Sequence, residues 1–368
     1  MSIPEANTGT KPVAEQYLFD VAALEHYLEA HLPGFAGPLT IEQFKGGQSN
    51  PTYKLGSPSR TCVMRTKPGP AAKLLPSAHA VEREFKVMRA LRGTDVPVPE
   101  MFVLCADESV IGRAFYLMEF VEGRVLWDQS LPAFDPTGRA EIYDEMNRVI
   151  AALHSVDPNA VGLGDYGKPG NYFERQIGRW TRQYQASITE PIEAMDRLIE
   201  WLPGNIPASA RDDSRVSIVH GDYRLDNLVF HPTEPRIVAV LDWELSTLGH
   251  PLADFSYHCM SWHIVSASSH SARGIGGLDY AALGIPDEKA YVRRYCERTG
   301  LADPDAVMAD WNFYLAYNLF RIAGILQGIA KRVEAGTASS AQARQSAAGA
   351  RPLAEMGWRI AEHGAPKT

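Results

Sequence analysis

Cysteine is scarce in this chain. Its four residues, Cys62, Cys105, Cys259 and Cys296, lie far apart, with no C-x-x-C pair. That excludes a disulfide framework and a zinc site built on thiolates, and a reducing compartment is the simplest setting. Long apolar runs are missing as well: nothing approaches the ~20 apolar residues that span a bilayer. The opening stretch MSIPEANTGTKPVAEQ has neither the basic residues nor the apolar segment of a secretory signal. Blocks of Lys and Arg are also absent. With 36 basic against 44 acidic residues the formal net charge is -8, which disfavours the basic stripe of a nucleic-acid binder. The expectation is a cytoplasmic protein with no nucleic-acid and no membrane partner, and with an oligomeric state the sequence leaves open.

What is present is an ordinary globular composition over 368 residues, 45% hydrophobic and 22% charged, long enough for two domains. From Leu39 to Val121 β-type segments dominate. LTIEQFKGGQSNPTYKL reads as two strands around a Gly-Gly turn, TCVMRT as a third and AFYLMEFV as a later one. One helix interrupts them, with Val81, Phe85, Met88 and Leu91 at helical spacing before the breakers Gly93, Pro97 and Pro99. After Glu122-Gly123 amphipathic helices take over, as in GRAEIYDEMNRVIAALHSV and DWNFYLAYNLFRIAGILQGIAKRV, with the short β segments VSIV, LVF and RIVAVLD among them. The expected organisation is a helical extension over 1–34, a sheet lobe over 35–122 and a mostly helical lobe over 123–368. The Ala/Ser/Gln-rich stretch 335–351 reads as a connecting or lid segment.

Chemistry concentrates in SIVHGDYRLDNLVF, where a β segment runs into His220-Gly221-Asp222 and Asn227 follows five positions after Asp222. Twenty positions after Asp222 a second β run ends in Asp242-Trp243-Glu244. Phosphoryl transfer needs such a set: one carboxylate to accept a hydroxyl proton, and hard oxygen ligands for magnesium on the nucleotide phosphates. Asp222 suits the first role; Asn227 and Asp242 suit the second.

HGDYRLDN and LDWE resemble the H-G-D-x-x-x-x-N loop and later Asp of the aminoglycoside phosphotransferase and choline kinase group. The resemblance extends over roughly residues 35–335. It implies an α+β, bilobal protein kinase-like fold, with a small antiparallel sheet and one main helix in the N-terminal lobe and a larger helical C-terminal lobe. It also implies ATP and Mg2+ as cofactors and a small-molecule hydroxyl as acceptor, with residues 35–122 binding the nucleotide. Protein kinases more often carry H-R-D and D-F-G, so His-Gly-Asp and Asp-Trp-Glu favour a small-molecule kinase. In this frame His220 joins Asp222 as a candidate catalytic-loop residue, expected to brace the loop while Asp222 is the base. Gly46 and Gly47, with Ser49 and Asn50, become phosphate cover in place of a plain hairpin turn.

The resemblance further implies a basic residue on the third strand paired with a helix Glu. Arg65 holds that position, with Lys67 as the alternative two residues on. Helix geometry selects the Glu. At about 100° per residue from Val81, Glu84 falls near about −60°, inside the apolar arc, and Glu82 near about +100°, toward solvent. Backbone groups of Glu119 and Val121 match the strand that meets an adenine edge, and Asp254 in GHPLAD matches an Asp that supports the loop, with helix N-capping as the competing explanation. His154, His231 and His258 read as structural or surface residues. A subgroup associated with acyl-CoA dehydrogenases shares Arg65, residues 96–99 and residues 249–254, which implies a hydroxyacyl-CoA acceptor. Glu244 and Arg321 are candidate substrate contacts, with a helix-face ion pair as the other reading of Arg321. The rival reading from another class is a catalytically weak nucleotide-binding regulatory module.

Overall fold

A computed structural model describes residues 8–46, 50–68, 80–168, 170–211, 215–265, 274–336 and 343–365. The chain forms two compact units: residues 1–127 with 226–246, and residues 128–225 with 247–368.

The first unit begins with β1 (Thr10–Lys11) and α1 (Val21–His31), the latter capped by Asp20, whose side chain accepts from the Ala23 amide. β2 (Thr40–Phe44), β3 (Thr52–Gly56) and β4 (Thr61–Thr66) follow, then α2 (Val81–Leu91), β5 (Met101–Cys105), β6 (Phe115–Glu119) and β7 (Arg124–Val125). Six of these strands form one antiparallel sheet in the order β1-β2-β3-β4-β6-β5. Register places Arg65 opposite Tyr116 on β6. Leu24 and Leu28 of α1 are buried with Tyr53, Leu55, Met64, Phe115 and Leu117. The described part of the expected helical extension over 1–34 thus joins this core, because the apolar face of α1 packs with the sheet residues.

The chain then builds the second unit from α3 (Pro136–Ser155), α4 (Tyr172–Ser187), α5 (Glu193–Gly204) and β8 (Ser217–Val219). It returns to the first unit as β9 (Leu228–Phe230) and β10 (Ile237–Val240). Here the structure departs from a boundary at residue 122. β7 pairs with β9, Arg124 opposite Phe230, in a three-stranded sheet of order β10-β9-β7, so strand pairing assigns 226–246 to the first unit against chain order. Gly123 makes this possible: a Cβ there would lie 2.3 Å from the Phe230 carbonyl oxygen.

β11 (Thr247–Gly249), antiparallel to β8, re-enters the second unit. It is followed by α6 (Pro251–Cys259), α7 (Tyr280–Leu283), α8 (Glu288–Thr299), α9 (Pro304–Ala309), α10 (Trp311–Glu334), α11 (Ala343–Ala347) and α12 (Ala350–His363). The described part of 335–351, expected to be a connecting or lid segment, is largely helical, since its alanines are strong helix formers. α12 lies close against α10, where a Cβ on Gly357 would come within 3.1 Å of Leu319 Cβ.

Candidate active site

In the first unit the site grows from β4 and α2. Arg65 is buried, and its Nη2 donates to Asp242 Oδ1 at 2.7 Å. Its Nε lies 3.2 Å from Glu84 Oε2, and Nη2 lies 3.4 Å from Glu244 Oε2. Glu84 also accepts from Asn50 Nδ2 at 2.9 Å and from the Tyr116 hydroxyl at 3.1 Å. Burial opposes the Arg65 charge, but Asp242, Glu84 and Glu244 outweigh it and hold the guanidinium well above its ordinary value. Burial pushes the Glu84 carboxyl up, while Arg65 and the Tyr116 and Asn50 hydrogen bonds pull the other way. A buried carboxylate is tolerable only when satisfied in this manner.

Asp242 has left-handed backbone, φ +67° and ψ +58°, which a non-glycine residue adopts only when its surroundings impose it. The imposition is visible on both sides. Leu241 N–H donates to the Asn227 carbonyl at 2.9 Å, and the fully buried Trp243 donates through Nε1 to the Val240 carbonyl at 2.9 Å. Asn227 and Asp242 therefore lie on neighbouring backbone. Arg83 of α2 reaches the Ser246 carbonyl at 3.3 Å, tying the turn after Asp242 to that helix.

In the second unit the HGD loop leaves β8 and is held by Asp254 on α6. Asp254 Oδ2 accepts the His220 amide at 2.7 Å and Oδ1 the Gly221 amide at 2.8 Å. Burial pushes this carboxyl up, yet the His154 hydrogen bond and the His154 and His220 charges prevail and hold it below the usual carboxylate range. His154 Nε2 lies 3.2 Å from Oδ2, its Nδ1 meeting the Tyr295 hydroxyl at 2.7 Å. The His220 ring is buried and its Nδ1 accepts the Asp222 amide at 3.2 Å. Gly221 has φ +83°, the turn that a side chain would resist. The Tyr257 hydroxyl donates to Asp222 Oδ1, and Arg224 Nε lies 3.3 Å from the same oxygen.

Within the first unit the structure gathers Arg65, Glu84, Asn50, Asp242 and Glu244. Within the second it gathers His220, Asp222, Asp254 and Arg321. Several sequence expectations change. Asn50 is wholly buried and its carboxamide is bound to Glu84, so it positions that Glu and does not reach out as a phosphate donor. Glu244 faces Arg65, and Arg321 donates to the Gly221 carbonyl at 2.5 Å; among the described residues Arg321 forms no helix-face ion pair. His220, expected to brace the loop, is buried with its Nδ1 accepting the Asp222 amide. Lys67 pairs with Glu82 at 2.5 Å, leaving Arg65 as the basic residue beside Asp242. The Glu119 amide donates to the Glu100 carbonyl at 2.8 Å and so is already engaged within the sheet lobe. Val121 follows β6, half-buried, and Gly46 follows β2. Gly47 and Ser49 lie outside the described residues. Asp254 does not cap α6; His250 does, accepting the Leu252 amide. Tyr116, His154 and Tyr257 were not singled out as site residues. Only Tyr257 left a signal, three residues after Asp254 and so on the same helix face.

Comparison with known proteins settles the kinship. A sequence profile of the phosphotransferase enzyme family matches residues 40–291. The chain belongs to that family. The phosphotransferase is 64% identical to a candidate aminoglycoside phosphotransferase from Ralstonia eutropha JMP134 of known crystal structure, covering 94% of this chain and 99% of that one with a TM-score of 0.83. It is 46% identical to acyl-CoA dehydrogenase family member 10 of Mus musculus over 96% of this chain, but spans only 32% of that protein's length. A thermostable aminoglycoside phosphotransferase APH(4)-Ia, solved with ADP and hygromycin B, shares the fold at 14% identity, TM-score 0.57, covering 92% of this chain and 98% of that one. The phosphotransferase thus has the α+β, bilobal protein kinase-like fold and is a small-molecule kinase. No helix among its described residues is long and apolar enough to cross a membrane.

Proposed function

We propose that the phosphotransferase moves the γ-phosphoryl group of ATP, with Mg2+, to a hydroxyl on an acyl-CoA-type thioester. Asp222 accepts the hydroxyl proton and orients the oxygen for attack, while Arg65 places positive charge near the phosphates. The donor chemistry suits magnesium: three carboxylates, Glu84, Asp242 and Glu244, converge on one guanidinium, and Asn227, whose backbone carbonyl accepts the Leu241 amide, adds a carboxamide. Among the described residues no group of three or more His, Cys, Asp or Glu could hold a metal. Asn227 and Asp242 would hold the ion with phosphate and water oxygens completing its shell. When bound, magnesium supplies charge neutralisation on the phosphates. The chain's own contribution is alignment: Asp254, His154 and His220 fix the loop, and the Trp243 anchor fixes Asp242.

The observation that carries the reading is Asp222 held on a loop whose preceding amides are bound by one buried carboxylate. The acceptor class is taken from the relative named as an acyl-CoA dehydrogenase family member, of which this chain spans a third. The test is a magnesium-dependent ATP-consumption screen against hydroxyacyl-CoA compounds, aminoglycosides, choline-like alcohols and sugars. Turnover with the first class is expected. Asp222→Asn should lower kcat by about 10²–10⁴-fold while sparing ATP binding; full turnover of this variant at saturating substrate would falsify the assignment of the base. No turnover with any acceptor, together with retained ATP binding, would favour a regulatory nucleotide-binding module.

A further inference from the structure

We propose that Tyr257 and Arg321 form one brace that fixes the rotation of the Asp222 carboxylate, and are positioning residues for phosphoryl transfer. The inference rests on the reading of Asp222 above and deepens it. Tyr257 follows Asp254 by three residues on α6. Asp254 binds the amides of His220 and Gly221, and the Tyr257 hydroxyl donates to Asp222 Oδ1, so one helix face restrains three successive loop residues. Arg321 of α10 donates through Nη2 to the Gly221 carbonyl at 2.5 Å. Gly221 is thereby held at both ends, and the peptide plane leading into Asp222 cannot turn. The two restraints are joined: the Arg321 guanidinium carbon lies 5.2 Å from the Tyr257 ring centroid and 5.8 Å from that of Trp180, within the range of cation–π attraction.

Tyr257 acts as a donor and not as a rival base. Burial and the Asp222 charge push its phenol far above the ordinary range, with Arg224 and Arg321 opposing, so it keeps its proton at neutral pH. A carboxylate free to rotate would present its accepting oxygen in the wrong direction part of the time. A misplacement of that kind reduces the rate of the chemical step and leaves substrate affinity intact.

The test uses the full chain carrying Tyr257→Phe, Arg321→Lys and both together. Hydrogen exchange of the amides at residues 220–222 needs no acceptor. Arg321→Lys, which keeps the charge but loses the planar fork, should speed exchange there by about tenfold while the α6 and α10 amides keep their rates. With Mg-ATP and the acceptor found in the screen, or with water as acceptor, Tyr257→Phe should lower kcat by about 10–50-fold with KM for ATP within about twofold. The double variant should lose little beyond the worse single, as residues acting as a unit do. An unchanged kcat in Tyr257→Phe, unchanged exchange in Arg321→Lys, or losses that multiply in the double variant overturn the brace. Faster exchange in Arg321→Lys alongside full turnover in Asp222→Asn upholds the restraint on the loop and removes the catalytic role of Asp222, so the two readings fail separately.

Discussion

Single buried groups in this phosphotransferase carry opposite demands. Asp254 must stay ionised to bind two amides, and its histidine neighbours keep it so. His258, four residues on and bonded through Nε2 to the Tyr291 hydroxyl at 2.8 Å, must stay neutral. Burial pushes its imidazole down to about 4, against a smaller upward pull from Asp254. A histidine whose folded value lies below its unfolded one binds fewer protons when folded. Its stabilising contribution is therefore complete above the unfolded value near 6.5 and is lost as pH falls toward 4. The loss amounts to about 3 kcal/mol across that window. Urea unfolding at pH 7 and pH 4.5 should show this fall, and His258→Gln should flatten it; an equally steep fall in the variant would assign the proton uptake to another group.

At the scale of elements, α1 shows that a segment can lie outside the motif region and still be structural. Its buried Leu24 and Leu28 share a core with β3, β4 and β6, the strands that carry Arg65 and its cross-strand neighbour Tyr116. Leu28→Ala should cost about 2–5 kcal/mol through lost burial and the cavity left behind, read as a lower urea midpoint with unchanged slope. A cost below about 0.5 kcal/mol would mean that α1 is dispensable to the sheet. The pairing of β7 with β9 works similarly. Two residues on one strand draw the 226–246 hairpin, and with it Asn227 and Asp242, into the unit that holds Arg65.

For the whole molecule, the relevant observable is stabilisation by ligand. Anything that binds only the folded chain raises its stability by mass action, about 2.7 kcal/mol at one hundred times Kd. Mg-ADP should therefore raise Tm by a few degrees, and EDTA should remove most of that rise; in Asp242→Asn, whose unliganded Tm falls because buried Arg65 loses a partner, the rise above that variant's own baseline should be mostly gone. A shift equally large in Asp242→Asn would exclude this carboxylate from the metal shell. The net charge of -8 gives no long-range attraction for polyanionic ligands, so the proposed nucleotide binding rests on local groups such as Arg65.

The amino-acid sequence alone marked the His-Gly-Asp loop, helices such as α2, α3 and α10, and the choice of Glu84 over Glu82 as Arg65's partner, because helical periodicity is a local property that three or four neighbours reveal. It also placed Asp242 twenty positions after Asp222. What it could not determine is which side chains meet across strands and between helices far apart in the chain. Asn50 turning inward to Glu84, Tyr116 opposite Arg65, the 226–246 hairpin joining the first unit, and Arg321 gripping Gly221 from a hundred residues away were decided only by the tertiary structure. Buried polar groups must find partners wherever packing brings them, and that search is settled by the fold as a whole, not by neighbours in sequence.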